Sequence, residues 1–180
     1  MNSHETYLYW LCNEYFDEET RAELIKIKNK PKEIEDRFFK DLEFGTGGLR
    51  GLIGAGINRI NIYTVRKASQ GLANYLLKSG YEAKTRGIVI AYDSRYKSRE
   101  FALEAAKVFA GNGIKTYLFD EPKPTPLLAF AVTYLNAIAG VVITASHNPK
   151  EYNGYKVYGE DGGQLTPEIT SQIQEEIKKI

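Results

Sequence analysis

From Gly45 onward, helix-period segments alternate with short runs of β-branched and small residues, which restricts the chain to few folds. Gly87-Ile88-Val89-Ile90-Ala91-Tyr92 and Ala137 to Ile143 each read as a buried strand, and Ile114 to Phe119 as another. Between them, Phe101, Ala105, Val108 and Phe109 mark a helix closed by Asn112-Gly113. Pro124-Thr125-Pro126 opens a further helix, Leu127 to Leu135, with Thr125 expected at its N-cap. Upstream, Ile62, Val65, Ser69, Leu72 and Leu76 predict a helix that stops near Ser79-Gly80, where glycine can take the left-handed cap. Strand, helix, strand, helix, strand demands crossover connections. The expected fold class is therefore α/β, a mainly parallel mixed sheet flanked by helices. In such sheets ligands gather at the carboxyl ends of the strands, where Asp93 and Ser146 emerge.

The first forty residues follow a different pattern. Tyr7, Leu8, Leu11 and Tyr15 fall on one helical face, Asp17-Glu18-Glu19 suits a second helix start with Leu24 and Ile27 inward, and Ile34 with Phe38 suggests a third short helix after Pro31. The expected organisation is a helical arm over residues 1–40 packing on a main domain over 41–180. The final stretch carries Ile169, Ile173, Ile177 and Ile180 at helical spacing. It finishes on Lys178-Lys179-Ile180, as expected of a chain interrupted just after a helix.

Composition narrows the function classes. With 24 basic and 23 acidic residues there is no general field favouring nucleic acid or an anionic membrane, so neither is expected as a partner. No apolar run approaches a membrane span, and Met1-Asn2-Ser3-His4-Glu5 does not read as a secretory leader. Cys12 is the single cysteine, which fits a reducing, cytoplasmic setting, and with two histidines it offers no zinc-type spacing.

Four segments carry candidate chemistry. Ala139-Gly140-Val141-Val142-Ile143 leads into Thr144-Ala145-Ser146-His147-Asn148-Pro149, a buried strand ending in a proline-stopped loop that can hold one side chain rigidly. An ordinary loop serine is the alternative. A hydrolase serine is a third reading, but adjacent Ser146 and His147 rarely give the base its approach, and no Gly-x-Ser-x-Gly elbow is present. Gly45-Thr46-Gly47-Gly48-Leu49-Arg50-Gly51 could converge amide N–H groups on an anion, with Arg50 gripping two oxygens; a plain turn is the alternative. The segment is neither a Walker A loop nor Gly-x-Gly-x-x-Gly. Asn153-Gly154 reads as a turn, with Lys156 on the strand that follows, either near the serine loop or simply on a hairpin surface. Asp93-Ser94-Arg95 can cap a helix and orient a neighbouring loop.

Thr144 to Pro149 resembles the phosphoserine loop of the α-D-phosphohexomutases, the family of phosphoglucomutase and phosphomannomutase. Gly45 to Gly51 resembles that family's Gly-Thr-x-Gly-x-Arg-Gly signature, Asn153-Gly154-Tyr155-Lys156 its Asn-Gly-x-Lys element, and Asp93-Ser94-Arg95 its Asp-x-Arg element. Leu42-Glu43-Phe44 and the arm resemble the longer subfamily of phosphoglucomutases and phosphopentomutases.

The resemblance implies catalytic roles for Ser146, Lys156, Arg50 and His147. Ser146 would accept and donate a phosphoryl group, Lys156 act as general acid/base, Arg50 stabilise the transferring charge, and His147 contact the phosphate or aid proton transfer. Thr46, Gly47, Gly48 and Asn148 would join them in binding phosphate, and Asp93 with Arg95 would support the loop. It further implies a small-molecule sugar phosphate as substrate and a glucose 1,6-bisphosphate-type activator. Mg²⁺ would be bound through the Ser146 phosphate, its other ligands on an Asp-rich loop not found here. Residues 41–180 would be the first of four family domains, partnered by the remaining domains of the same polypeptide. The expected activity is hexose 1-phosphate to 6-phosphate interconversion, with phosphopentomutase or phosphomannomutase as alternatives. The chain alone is expected to lack full turnover. A non-catalytic phosphate-binding module is the alternative from another class.

Overall fold

The computed structural model describes residues 1–45 and 47–180; Thr46, expected above to contact phosphate, lies outside the described residues. The sheet is built around two strands buried along their whole length, β2 (Ile88–Tyr92) and β4 (Ala139–Ile143), paired in parallel. The strand β3 (Thr116–Leu118) lies parallel to β2 at one edge. On the other side β5 (Tyr152–Tyr158) runs antiparallel to β4, and β1 (Gly48–Leu52) antiparallel to β5. The order is β1-β5-β4-β2-β3, so β5 alone opposes the shared direction of the other strands. The expected mainly parallel mixed α/β sheet is what forms.

Strand alternation sends successive side chains to opposite faces. Leu49, Ile88, Ile90, Tyr92, Val141, Ile143, Tyr155 and Val157 share one core with the helices α4 (Ile62–Leu77), α6 (Ser98–Gly111) and α8 (Pro167–Lys178). Val89, Ala91, Val142 and Tyr158 meet Leu128, Ala131 and Val132 of α7 (Thr125–Tyr134) on the other face. Lys156, Gly154 and Arg50 belong to this second face by alternation and register.

Three short helices precede the sheet: α1 (Ser3–Cys12), α2 (Glu18–Ile25) and α3 (Pro31–Phe38). Their core of Tyr7, Trp10, Phe16, Leu24, Ile27, Ile34 and Phe38 closes on Ala55 and Tyr63. The Tyr63 hydroxyl donates to Asp17 Oδ2 and accepts from the Asp17 amide. The buried face of α1 differs from expectation. Tyr7 and Trp10 are buried whereas Leu8 and Tyr15 are exposed: the core-facing stripe runs through positions 7 and 10, with Leu8 about 100° round the helix from Tyr7, and Tyr15 lies beyond the helix end at Cys12.

Other local expectations are corrected. Gly80 has a positive φ of 71° but a ψ of −138°, which is not the left-handed cap; it precedes an unforeseen short helix, α5 (Tyr81–Arg86). Pro124, not Thr125, occupies the N-cap of α7, and no side chain caps that end. Asn153-Gly154 lies inside β5 and makes no turn. Asp93 does not cap α6, whose N-cap position is Lys97. The segment from Gly48 is an edge strand and not an open loop. Among the described residues, no helix is long and apolar enough to cross a membrane.

Candidate active site

The chain leaves the sheet buried and reaches solvent at one residue. Thr144 and Ala145 are buried beyond the end of β4, and Ser146 is exposed. The Thr144 amide donates to the Gly154 carbonyl, the Ser146 amide to Thr144 Oγ1 at 3.0 Å, and the Asn148 amide to the Ala145 carbonyl. These bonds hold Ser146 at a φ of 52°, a left-handed conformation that costs a residue with a Cβ roughly 1–2 kcal/mol. Strain of this kind persists only where the surroundings over-determine it.

Arg95 supplies much of that determination. Its Nη2 donates to the carbonyls of Ser146 and Asn148, both at 2.7 Å. Its Nη1 donates to those of Pro149 at 2.9 Å and Tyr152 at 3.2 Å. Asp93 orients the guanidinium, accepting from the Arg95 amide and facing Nε at 3.4 Å. The planar fork of arginine suits this multiple docking better than an ammonium would.

Lys156 approaches from the neighbouring strand and donates to Ser146 Oγ at 2.6 Å. Arg50 sits opposite Gly154, two positions along β5 from Lys156 and on the same face, a diagonal spacing of about 7–8 Å. Burial, and then the Arg50 charge, hold the Lys156 ammonium below its ordinary pKa of 10.5. Gly48 pairs with Lys156 across the register, and its missing side chain is required. A Cβ there would stand 1.9 Å from the Tyr155 carbonyl oxygen.

The glycine-rich segment works differently from an amide cradle. The Gly45 amide donates to the Gly48 carbonyl and the Gly48 amide to the Gly45 carbonyl, while the Gly47 carbonyl accepts from Val157. The amides of Gly45 and Gly48 are thus committed to backbone, and the segment's open cation is the exposed Arg50. His147 is exposed, and among the described residues no hydrogen bond involves its side chain. Asn148 turns its Oδ1 into a buried position with no partner among the described residues. Ser146, Lys156, Arg50, Gly47, Gly48, His147 and Asn148 thereby fall at one corner of the sheet.

Two groups near this corner have a role that the sequence reading misses: Ser98 is not singled out there, and Asn153 reads only as part of a turn. Ser98 Oγ donates to Asp93 Oδ1 at 2.7 Å, and Asn153 Nδ2 donates to Ser98 Oγ at 2.9 Å. An asparagine within an apolar alternation was the available signal, masked by its turn-like pairing with glycine.

Phosphoglucomutases and phosphomannomutases share a first domain, and the sequence model of that unit, "Phosphoglucomutase/phosphomannomutase, alpha/beta/alpha domain I", matches residues 41–180. The chain belongs to this family. A phosphoglucomutase of Staphylococcus saprophyticus is 48% identical over 139 residues, which cover 77% of this chain and 25% of that protein. A Schizosaccharomyces pombe protein assigned as a phosphoribomutase is 48% identical over 164 residues, covering 87% of this chain and 28% of its own length. Among solved structures, one from Thermus thermophilus assigned as a phosphomannomutase superposes with a TM-score of 0.69 at 34% identity. That match covers 77% of this chain and 30% of the other. The chain therefore spans about a quarter of the length of the curated phosphoglucomutase and phosphoribomutase relatives it matches. Family membership agrees with the motif-based expectation, and the five-stranded sheet is the α/β unit that the family description names.

Proposed function

We propose that this chain is the phosphoserine-bearing domain of a sugar-phosphate mutase interconverting hexose 1-phosphate and hexose 6-phosphate through a bisphosphate intermediate. The Staphylococcus relative favours glucose as the sugar. The observation that carries the reading is the 2.6 Å approach of Lys156 Nζ to Ser146 Oγ, with Arg50 on the same face. When Ser146 Oγ attacks phosphorus its proton must leave, and when Oγ departs from phosphorus a proton must return. Lys156, adjacent and depressed in pKa, takes that proton as the amine and returns it as the ammonium. Charge on the transferring phosphoryl oxygens is offset by Arg50 and Lys156, with His147, Asn148, Gly47 and Gly48 bordering the group. The division of the chain into an arm, 1–40, and a domain, 41–180, is part of the same proposal.

The residues present do not form a Mg²⁺ cage. Among the described residues, no three His, Cys, Asp or Glu side chains cluster to hold a metal ion. A phosphate on Ser146 would offer one oxygen ligand, and we assign the other ligands, with the sugar-reading groups, to further domains of the same polypeptide. The same division makes the 180-residue chain incompetent for a full catalytic cycle. The Schizosaccharomyces relative supports a second reading, a phosphopentomutase working through the same serine.

The test is intact mass and peptide mapping after incubation of the full-length protein, with its further domains, with glucose 1,6-bisphosphate and Mg²⁺. One phosphate on Ser146 is expected. A phosphate on any other residue overturns the assignment, and mutase turnover by the 180-residue chain above that of its Ser146→Ala variant overturns its incompetence for the full cycle.

A further inference from the structure

Ser98 and Asn153 are both fully shielded from solvent, although neither touches the Ser146 hydroxyl or the Lys156 ammonium. A buried amide or hydroxyl is costly unless paired, and an apolar residue of like size would serve packing alone. Here the pairing is complete and directional. Asn153 Oδ1 accepts from the Gly154 amide at 2.8 Å, and its Nδ2 donates to the Tyr96 carbonyl at 3.1 Å and to Ser98 Oγ at 2.9 Å. Ser98 Oγ donates onward to Asp93 Oδ1, which also accepts from the Arg95 amide. Arg95 then reaches the carbonyls of Ser146, Asn148, Pro149 and Tyr152.

The path leaves β5 at Asn153, crosses the first residue of α6 and the end of β2, and returns to β5 at Tyr152. It is a closed ring through three elements, with the Ser146 loop fastened to one side. Lys156 lies three residues along the same strand. Moving the loop relative to that strand means breaking a charge-assisted bond or unpairing a buried group, and both are expensive.

We propose that Ser98 and Asn153 are positioning residues that, through Asp93 and Arg95, fix the Ser146 loop against the strand carrying Lys156. The inference rests on the reading of Ser146 and Lys156 as the phosphoryl-transfer pair. A displacement of about 1 Å in such a pair costs up to about 10²-fold in rate, which is why a dedicated brace has value.

The test uses the full chain with isotope-labelled lysine, following the Lys156 side chain by NMR titration together with the Ser146 amide signal. In Ser98→Ala the loop loosens and water reaches the ammonium. Lys156 is then expected to titrate higher, nearer the ordinary lysine value, and the Ser146 amide signal to move. Ser98→Thr, which restores a hydroxyl, is expected to return both toward wild type. A folded Ser98→Ala protein with both signals unchanged overturns the proposal. Should that variant not fold, Ser98→Cys, which keeps the volume and weakens the donor, is judged by the same two signals. Neither signal requires phosphate on Ser146. A full-length protein never phosphorylated at Ser146 sinks the functional reading, while the titration still decides the positioning.

Discussion

The Nη2 atom of Arg95 donates to the Ser146 carbonyl at 2.7 Å across 51 residues of sequence, so a residue just after β2 sets the backbone that presents the serine after β4. The guanidinium serves four carbonyls with its two terminal nitrogens. In Arg95→Lys a single ammonium can satisfy only some of them. Bonds from charged donors are worth about 1.5–3 kcal/mol each, but the freed carbonyls lie near water. A net loss of roughly 1–3 kcal/mol is expected in urea unfolding. Faster amide exchange through residues 146–149 should accompany it, and unaltered exchange there would contradict the assigned role of Arg95.

Lys156 makes a pH-dependent prediction with a definite sign. Its pKa in the folded chain lies below the ordinary 10.5, through burial first and the Arg50 charge second. Between the lowered value and 10.5 the unfolded chain binds more protons at this site, so stability rises with pH across that window. Lys156→Met removes this increment. Urea unfolding at a series of alkaline pH values should show a shallower rise for the variant, and a variant no less stable than wild type at neutral pH. Transfer of phosphate from glucose 1,6-bisphosphate to Ser146 should slow by about 10²–10⁴-fold, the usual range for a lost general acid/base. Parallel pH curves for the two proteins would refute the depressed lysine.

The central strands were legible because Ile88–Tyr92 and Ala139–Ile143 are continuous apolar runs, as strands covered on both faces must be. β1 was not, since Gly48–Leu52 holds three non-apolar positions among five and its glycines suggest a loop. Its strand character comes from pairing with β5, which is a tertiary fact. Asn153-Gly154 misled for the opposite reason. The dipeptide has a strong local turn preference, and the bonds from Asn153 to Tyr96 and Ser98 override it. α5 buries only Ala83 and leaves no hydrophobic period to read. The candidate site was proposed from motifs, whereas the reach of Arg95 and the Ser98–Asn153 link join residues 51 to 57 apart that no periodicity connects.

Ser146 should reveal its backbone strain in a pair of variants. At a φ of 52° glycine is unpenalised, while alanine keeps the Cβ and loses the hydroxyl. Ser146→Gly is expected to be about 1 kcal/mol more stable than Ser146→Ala in urea unfolding. Neither should accept phosphate. Equal stability of the two would mean that the left-handed geometry is not maintained in solution.

Gly154 lies where three strands and the serine loop converge, and its substitution tests that convergence. A Cβ built there would stand 2.5 Å from the Thr144 carbonyl oxygen and 2.9 Å from that of Leu49. Both obstacles are backbone, so no rotamer change relieves them. The Thr144 amide also donates to the Gly154 carbonyl, which means that retreat of the loop would sacrifice a bond. Gly154→Ala must therefore push β1 away from β5, push the Ser146 loop away from Lys156, or both. Overpacking of this kind costs typically about 1–3 kcal/mol. Destabilisation in that range is expected, with a Lys156 titration displaced toward the ordinary lysine value as its contact with Ser146 Oγ opens. A Gly154→Ala protein that is as stable as wild type and titrates identically at Lys156 would show that the strands are not packed this closely.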